Sequence, residues 1–267
     1  MLTKPRTILF PVLLSLGIAA CKKVINVDLK TSTSQVVIEG EVTNAPGPYH
    51  VRISRSVNFS ASNDYPPVSG ALVKIVDSAT GMNLVLQEAD SGDYVTNSFT
   101  GTPQHTYTLD VKTGDKEYIA YSTMPKVVVL DSVTFIQNID LNNKPDINAV
   151  VNFQDPPGLG NYYQFIEVLN GREIPNVLVF EDRLSDGRYI EQPLFNDSAY
   201  LQPGDTLQMS MYCVDKNVYS YLFSLISVTG NNSFQSATPA NPISNISNGA
   251  LGYFSAHTVT RKQLTVY

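Results

Sequence analysis

Histidine and cysteine, which carry much of the nucleophilic and metal-binding chemistry of proteins, are rare in this sequence. The three histidines, His50, His105 and His257, lie far apart, with no second histidine four residues away and no cysteine pair beside them. Such spacing does not match a zinc site. The sequence also contains no G-x-S-x-G elbow, phosphate-binding loop or dinucleotide fingerprint. We therefore predict no catalytic residue, no cofactor and no metal centre, and we expect His50 and His105 to be solvated or hydrogen-bonded within the fold.

Two groups of oxygen-bearing side chains could do chemistry if the fold brought them together. Glu181, Asp182 and Asp186 are close in the sequence, and paired carboxylates can act as acid and base in glycoside hydrolysis. Because arginines alternate with them around a predicted turn, we interpret this group as the solvated tip of a hairpin. The second group, Asp140–Asn148, is an oxygen-rich loop that could bind calcium, although it lacks the glycine and the final glutamate of an EF-hand. Such loops are more often simply solvated.

Cys21 follows an N-terminal segment with the three parts of an export signal. Residues 1–6 are basic, residues 8–18 are apolar, and two alanines precede the cysteine. The apolar run is shorter than the ~20 residues that span a membrane, so we interpret residues 1–20 as a cleaved signal peptide. Ile18-Ala19-Ala20-Cys21 is similar to the bacterial lipobox, in which the cysteine thiol receives a diacylglycerol group and becomes the mature N-terminus. The alternative is an ordinary secretory signal with a chance cysteine.

Lipidation of Cys21 would leave Cys213 without an intramolecular partner, since the chain has two cysteines. Cys213 lies where apolar and polar residues alternate, so we expect a small buried side chain in a strand and not a catalytic thiol. Two or three acyl chains such as palmitate at Cys21 would attach the protein stably to a membrane, because each buried methylene contributes ~0.8 kcal/mol.

The charge balance argues against a nucleic-acid partner. The full chain has a net charge of −6, and removal of residues 1–20 takes away two basic and no acidic side chains. The only basic pair near the anchor is Lys22-Lys23, which is too small for a nucleic-acid or polybasic membrane patch. A hydrophobic fraction of 43% with 16% charged residues is typical of a packed globular protein.

Strand patterns dominate the first half of the mature chain. Six segments are rich in Val, Ile, Tyr and Thr, and turn residues separate them: 35–43, 49–57, 71–79, 83–90, 105–113 and 116–124. Because no amphipathic helix lies between them, the pattern predicts a β-sandwich and not a parallel α/β fold. Within this half, residues 67–121 resemble the small prealbumin-like or carboxypeptidase-regulatory-like sandwich.

The second half predicts further strands and one helix. Strand patterns cover 126–137, 149–171 with a break at a Pro-Pro-Gly turn, 204–214 and 252–267. A hairpin is expected over 177–195. The helix is expected near residues 215–229, with Asp215 as N-cap and Gly230 as the stop. The predicted fold is thus mainly β, with an N-terminal Ig-like or prealbumin-like sandwich and a second β-rich domain. The predicted segments are 1–20 signal peptide, 21–34 anchor and linker, 35–125 sandwich and 126–267 C-terminal domain.

Several motifs, in order along the chain, resemble the domain-of-unknown-function 4249 family. They are CKKVINVDL, VVIEGEVT, YHVRISRS, PPVSGALVKIVD, FQDPPGLGNYYQF, VDKNVYSYLFSL and NPISNISNGALGYFSA. The resemblance implies an envelope lipoprotein of Bacteroidetes-type bacteria, often encoded beside a TonB-dependent outer-membrane receptor, and it implies no catalytic residues. Lys22-Lys23 departs from the acidic residues associated with surface export in such bacteria, so the periplasmic and the surface face of the outer membrane both stay open.

Three functions are compatible with these patterns. The first is a non-catalytic accessory or binding partner of a TonB-dependent transporter in nutrient uptake, held to the membrane by its N-terminal lipid. The second is a free-standing structural or adhesive surface protein. The third, a hydrolase, needs a cleft with converging acids or a nucleophile–base pair, and the sequence displays no such constellation. The first function is the one we expect.

Overall fold

The computed structural model describes residues 34–58, 64–139, 145–195, 200–229 and 241–267. Cys21, the predicted signal peptide and the first part of the Asp140–Asn148 loop lie outside these ranges. Sixteen strands and one helix form in the described residues. None of the helical structure there is long and apolar enough to span a membrane. The mainly β fold expected from the sequence is therefore confirmed.

The elements follow one another along the chain in this order: β1 (Val36–Thr43), β2 (His50–Arg55), β3 (Leu72–Asp77), β4 (Asn83–Val85), β5 (Gln87–Asp90), β6 (Asp93–Val95), β7 (Thr106–Thr113), β8 (Lys116–Thr123), β9 (Leu130–Ile139), β10 (Pro145–Gln154), β11 (Tyr162–Leu169), β12 (Arg172–Glu173), β13 (Leu178–Glu181), β14 (Tyr189–Leu194), β15 (Thr206–Val214), α1 (Lys216–Thr229) and β16 (Leu251–Thr265).

The N-terminal strands form two sheets that enclose a hydrophobic core. One sheet has the order β4-β3-β7-β8, and β1, β2, β6 and β5 belong to the other. Ile38 and Val51 from one sheet and Ile75 from the other are buried in the same core cluster, as period-two alternation predicts. The segment 83–90 differs from its prediction as one strand. It divides at the buried Leu86 into β4 and β5, which belong to different sheets.

The last strand joins the two halves of the molecule. The first part of β16 pairs in parallel with β1, and its second part pairs antiparallel with β15. A single sheet therefore runs in the order β12-β11-β15-β16-β1-β2-β6-β5, with β13 also paired to β11. Gly252 makes the parallel contact possible, since its φ is +88° and an added Cβ would lie 2.1 Å from the Ile38 carbonyl oxygen. The predicted boundary between residues 125 and 126 stays a prediction.

A second core lies between β14-β10-β9 and the inner face of β11 and β15. Phe153, Phe165 and Met211 are among its buried residues. The predicted hairpin over residues 177–195 is wrong. β13 pairs with β11, and β14 pairs with β10 in a different sheet. The turn residues between the two strands therefore mark a crossing from one sheet to the other.

Helix α1 covers part of the outer face of the large sheet. Asp215 caps it as predicted, with Oδ1 accepting hydrogen bonds of 2.9 Å from the backbone N–H groups of Asn217 and Val218. The Oδ2 atom of Asp215 accepts a 2.5 Å bond from the Ser122 hydroxyl on β8. Val218 packs in a small apolar cluster with Val214 and other residues on this face. Beside the helix the face is polar and open.

Candidate functional site

A groove of about 440 Å³ opens on the outer face of the large sheet. We call it the outer groove. Its lining comes from six strands, and most of its side chains are polar. The lining residues are Glu39, Gly40, Glu41, His50, Arg52, Gln164, Ile166, Glu173, Tyr212, Tyr253, Ser255 and His257.

Strand alternation places these side chains on one face. On β1, Ile38 and Val42 point into the core, so Glu39 and Glu41 point outward. On β16, Phe254 is in the same core, so Tyr253 and Ser255 share the outer face with His257 on that strand. The parallel register sets Glu39 beside Tyr253 and Glu41 beside Ser255. Residues more than 200 positions apart thus line one site.

His257 is the most deeply buried titratable group of the outer groove. Its residue is 3% exposed, and its ring stacks on Tyr212 with centroids 4.4 Å apart. Burial, together with the positive charge of Arg261, lowers the pKa of His257 to about 3. The imidazole is therefore neutral at physiological pH.

The two ring nitrogens of His257 differ in their surroundings. Nδ1 lies 2.9 Å from the Ser255 hydroxyl oxygen. Nε2 is buried without a hydrogen-bond partner, and in the described part of the chain Asp110 Oδ1 is the other such side-chain atom. Glu41 Oε2 is 3.8 Å from Nε2, which is beyond hydrogen-bond range.

The hydroxyl of Ser255 indicates which nitrogen carries the proton. If Ser255 donates to Nδ1, the hydroxyl hydrogen is used and the imidazole proton is on Nε2. In the other tautomer Nδ1–H donates to Ser255, and the hydroxyl hydrogen has no acceptor among the described residues. We assign the first tautomer from this count. His257 then directs a buried N–H donor toward Glu41 on the groove wall.

The groove carries more acidic than basic groups. Glu39, Glu41 and Glu173 line it, against the guanidinium of Arg52. His50 is held by Asp93, with Nδ1 3.0 Å from Oδ2. The surrounding wall raises the pKa of the half-exposed Glu41 carboxyl through desolvation, although Arg261, His50 and Arg52 act in the opposite direction. Such a surface disfavours anions.

Ser255, His257 and Glu41 are the residue types of a hydrolase triad, but their arrangement does not fit nucleophilic attack. Ser255 is only 2% exposed and neighbours Nδ1, whereas the carboxylate is on the Nε2 side. A pKa of about 3 also makes His257 a weak base, since a general base works best with a pKa near the operating pH. The arrangement therefore does not fit a serine nucleophile activated by His257.

The structure places the predicted histidines partly as expected. His105 Nδ1 lies 2.8 Å from Asp77 Oδ2 and His50 is bonded to Asp93, so both are hydrogen-bonded as predicted. The sequence did not indicate that His50 and His257 would line the same groove. A signal was present, since polar residues occupy alternate positions of β1, β2 and β16 beside apolar core residues. It could not be used without knowing that β1 and β16 are neighbours.

A second polar group, which we call the loop cluster, consists of Asp155, Asp182 and Asp186. One carboxylate oxygen from each lies within 4.8 Å of the others. Carboxylates so placed are ligands that Ca²⁺ and Mg²⁺ prefer. The predicted solvated hairpin tip is wrong for Asp182, which is 2% exposed. Asp186 is exposed, as predicted.

Hydrogen bonds explain why Asp182 and Asp155 are buried. Asp182 accepts from the backbone N–H groups of Gly160 and Asn161, each 3.0 Å from Oδ2. Asp155 accepts from the Gly187 N–H at 2.9 Å and from the Tyr163 hydroxyl. Together with burial, Asp155 raises the pKa of that phenol. The carboxylates therefore hold the loop backbone in place.

The remaining predicted sites divide into tested and untested ones. Cys213 is a buried free thiol in β15, as predicted, and burial raises its pKa. Asn148 Nδ2 donates a 3.0 Å bond to Asp146 Oδ2 at the start of β10. Because residues 140–144 lie outside the described ranges, calcium binding by Asp140–Asn148 stays a hypothesis. The same holds for the lipidation of Cys21.

Comparisons with known proteins give one family. The model of the family described as "Domain of unknown function (DUF4249)" matches residues 22–263, which confirms the resemblance found in the sequence motifs. No curated protein matches the sequence. Among solved structures, the chain is similar to selenomethionine-substituted chicken interferon gamma receptor alpha chain, at 8% identity over 68% of this chain and 89% of that chain, with a TM-score of 0.21. A likeness at that level carries no argument.

Proposed function

The chain belongs to the DUF4249 family, and from that premise we propose that it is a lipid-anchored, non-catalytic binding protein of the outer membrane. It acts beside a TonB-dependent transporter in nutrient uptake. The observation that carries binding is the outer groove, which is open and polar and contains a buried N–H donor without a partner in the described part of the chain. The lipobox at Cys21 supports the anchor. The family resemblance of the sequence motifs supports the transporter.

A buried polar group without a partner makes the groove more than a surface depression. Leaving a donor unsatisfied costs about 1 to 3 kcal/mol, so a fold retains one where a ligand or a bound water completes it. The same groove provides no exposed nucleophile beside a base, since Ser255 is buried and His257 is a weak base. Capture of a ligand for a transporter needs an unsatisfied hydrogen-bond donor in an open groove, and it does not need a nucleophile beside a base.

Lipidation is tested by growing cells that express the protein with radioactive palmitate. We expect label on the wild-type protein and none on Cys21→Ala. Cys213→Ala is the matched control because it removes the other cysteine, which is buried in β15, and it should keep the label. Label on Cys21→Ala would contradict the anchor.

The partner is tested by purification from native outer membranes through a C-terminal tag, which the exposed Tyr267 can carry. We expect a TonB-dependent receptor in stoichiometric amount with the wild-type protein, and less or none with Cys21→Ala. Recovery of the lipidated protein alone would overturn the receptor partnership. The protein would then be a free-standing binding, structural or adhesive surface protein.

A further inference from the structure

We propose that the outer groove binds a neutral polyhydroxylated small molecule, such as a sugar unit, through a hydroxyl group that bridges His257 Nε2 and the Glu41 carboxylate. This inference rests on the proposed function only in treating the outer groove as a binding site. It does not depend on the receptor or on the lipid anchor.

His257 Nε2 and the Glu41 carboxylate face each other in the outer groove. In the assigned tautomer Nε2–H needs an acceptor, and the Glu41 carboxylate needs a donor. The 3.8 Å between them is too long for a direct bond. A hydroxyl group both accepts and donates, so a single one can satisfy both atoms. An ammonium group can only donate and a carboxylate can only accept, so neither can bridge the pair.

The rest of the wall fits the same chemistry. Glu39, Arg52 and Gln164 add acceptors and donors around the pair, as a molecule with several hydroxyl groups requires. The excess of carboxylates repels anionic ligands. A volume of about 440 Å³ is within the range of small-molecule sites. It is far larger than the roughly 30 Å³ that one water occupies.

Two tyrosines of this wall are packed against neighbouring rings before a ligand arrives, so the hydroxyl group reaches the buried Nε2 by displacement of the half-exposed Glu41 side chain. Tyr212 stacks on His257 at 4.4 Å, and Tyr253 lies against Tyr221 with ring centroids 4.7 Å apart. Both tyrosines line the outer groove. A site whose side chains are already packed loses less conformational entropy on binding. Each tyrosine ring combines an apolar face, which can pack on the C–H face of a sugar ring, with a polar hydroxyl group.

The binding test uses the lipidated protein in a polyoxyethylene detergent, because a detergent with sugar headgroups would compete. With three histidines in the chain, ¹⁵N-histidine labelling gives a spectrum in which each ring can be assigned by substitution. The probes are glucose, maltose, cellobiose and xylobiose, each raised to about 50 mM so that millimolar affinity is detected. Spermidine and galacturonate are the charged probes.

We expect the ring of His257 to be the neutral tautomer with its hydrogen on Nε2. Its nitrogen resonances should shift saturably with at least one neutral sugar. His105, which bonds Asp77 where β3 ends and β7 begins in the other N-terminal sheet, should not shift. In Glu41→Ala the affinity for that sugar should fall about tenfold, as loss of a charged hydrogen-bond partner predicts. Glu117→Ala removes an exposed glutamate on β8 and should leave the affinity unchanged.

Three results would overturn the proposal. They are no shift at His257 with any neutral sugar, a shift at His257 with a charged probe but with no neutral sugar, and a sugar affinity of Glu41→Ala equal to that of the wild type. The first would mean that the groove holds water only. These failures are separate from failure of the proposed function. Receptor capture without sugar binding would overturn the ligand class alone, and sugar binding without receptor capture would overturn the partnership alone. Cleavage of a disaccharide in the same tube would keep the ligand class and overturn the non-catalytic role.

Discussion

The outer groove and the loop cluster are built from the same kinds of polar side chains, and they use them in opposite ways. In the loop cluster, the buried Asp155 and Asp182 accept hydrogen bonds from backbone N–H groups. In the outer groove, His257 Nε2 is equally buried and has no hydrogen-bond partner among the described residues. Since both regions combine acidic and aromatic residues, their composition does not distinguish them. The number of hydrogen-bond partners that their buried polar atoms have does distinguish them.

The comparison also gives the family motifs a physical meaning. Asp155-Pro156-Pro157-Gly158 and Asn161-Tyr162-Tyr163 lie in or beside the loop cluster. There Asp182 holds the loop between β10 and β11, and Asp155 holds the loop between β13 and β14. Gly252-Tyr253-Phe254 lies on β16, where it forms the junction with β1 and one wall of the outer groove. The first motif is therefore structural, and the second forms part of the proposed binding surface.

The strongest loss of stability is expected from a substitution in the loop cluster. Asp155→Ala leaves the Tyr163 hydroxyl and the Gly187 N–H buried or partly buried without their acceptor. We expect the free energy of unfolding to fall by about 3 to 5 kcal/mol. For a chain of this size that lowers Tm by about 10 °C, measured by circular dichroism.

Asp186→Ala is the matched control, because Asp186 belongs to the same cluster but is exposed. Its loss removes one hydrogen bond to the Gly158 N–H and should cost less than about 1 kcal/mol. Equal losses for the two variants would contradict a structural role that depends on burial.

A smaller change in stability, which depends on pH, is expected from His257 in the outer groove. The folded protein keeps His257 neutral down to its pKa of about 3, whereas the unfolded chain binds a proton below the ordinary value of 6.5. Because the unfolded state then binds more protons, stability falls as pH falls. His257 should account for a loss of about 2 to 3 kcal/mol between pH 6.5 and about pH 4.5.

Urea unfolding at several pH values measures this loss as the difference between wild type and His257→Gln. Asp77, whose pKa is lowered, lies on β3 in the other N-terminal sheet in both proteins, so its contribution cancels in the difference. Parallel pH curves for wild type and His257→Gln would show that His257 titrates alike in both states.

The smallest expected effect tests the loop cluster as a metal site. Since its carboxylates already accept backbone hydrogen bonds, about 1 mM Ca²⁺ or Mg²⁺ should shift Tm by less than about 1 °C. A site filled at 100 times its Kd would instead add about 2.7 kcal/mol. A calcium shift that Asp186→Ala abolishes would contradict the contrast between the two regions. A shift abolished by Asp146→Asn would instead support the Asp140–Asn148 hypothesis.

Local patterns predicted much of the secondary structure correctly. Five of the six N-terminal segments form single strands close to their expected bounds, and Asp215 begins the predicted helix. Cys213 is buried because it lies on the core-facing side of β15 with Met209 and Met211, whereas Tyr212 lies on the other side. Each of these features depends on residues that are close in the sequence, because the side-chain periodicity of a strand or a helix can be recognised there.

Errors arose where a local signal had more than one tertiary outcome. The turn residues near Ser185 suit a hairpin as well as a crossing between sheets, and the pairing of β13 with β11 decided for the crossing. Asp182 looked solvated because its neighbours are charged, yet the N–H groups that bury it come from a loop more than twenty residues earlier.

The strand-rich class, the helix and its cap, the core-facing positions and the family all follow from the sequence alone. That β16 lies beside β1, and so that Glu41, Ser255 and His257 share a groove, is known only from the folded chain. Strand alternation specifies which way each side chain points, but it carries no information on which strand is the neighbour. That choice is made by the packing of Phe254 and Ala256 into the N-terminal core, together with the close approach that Gly252 permits.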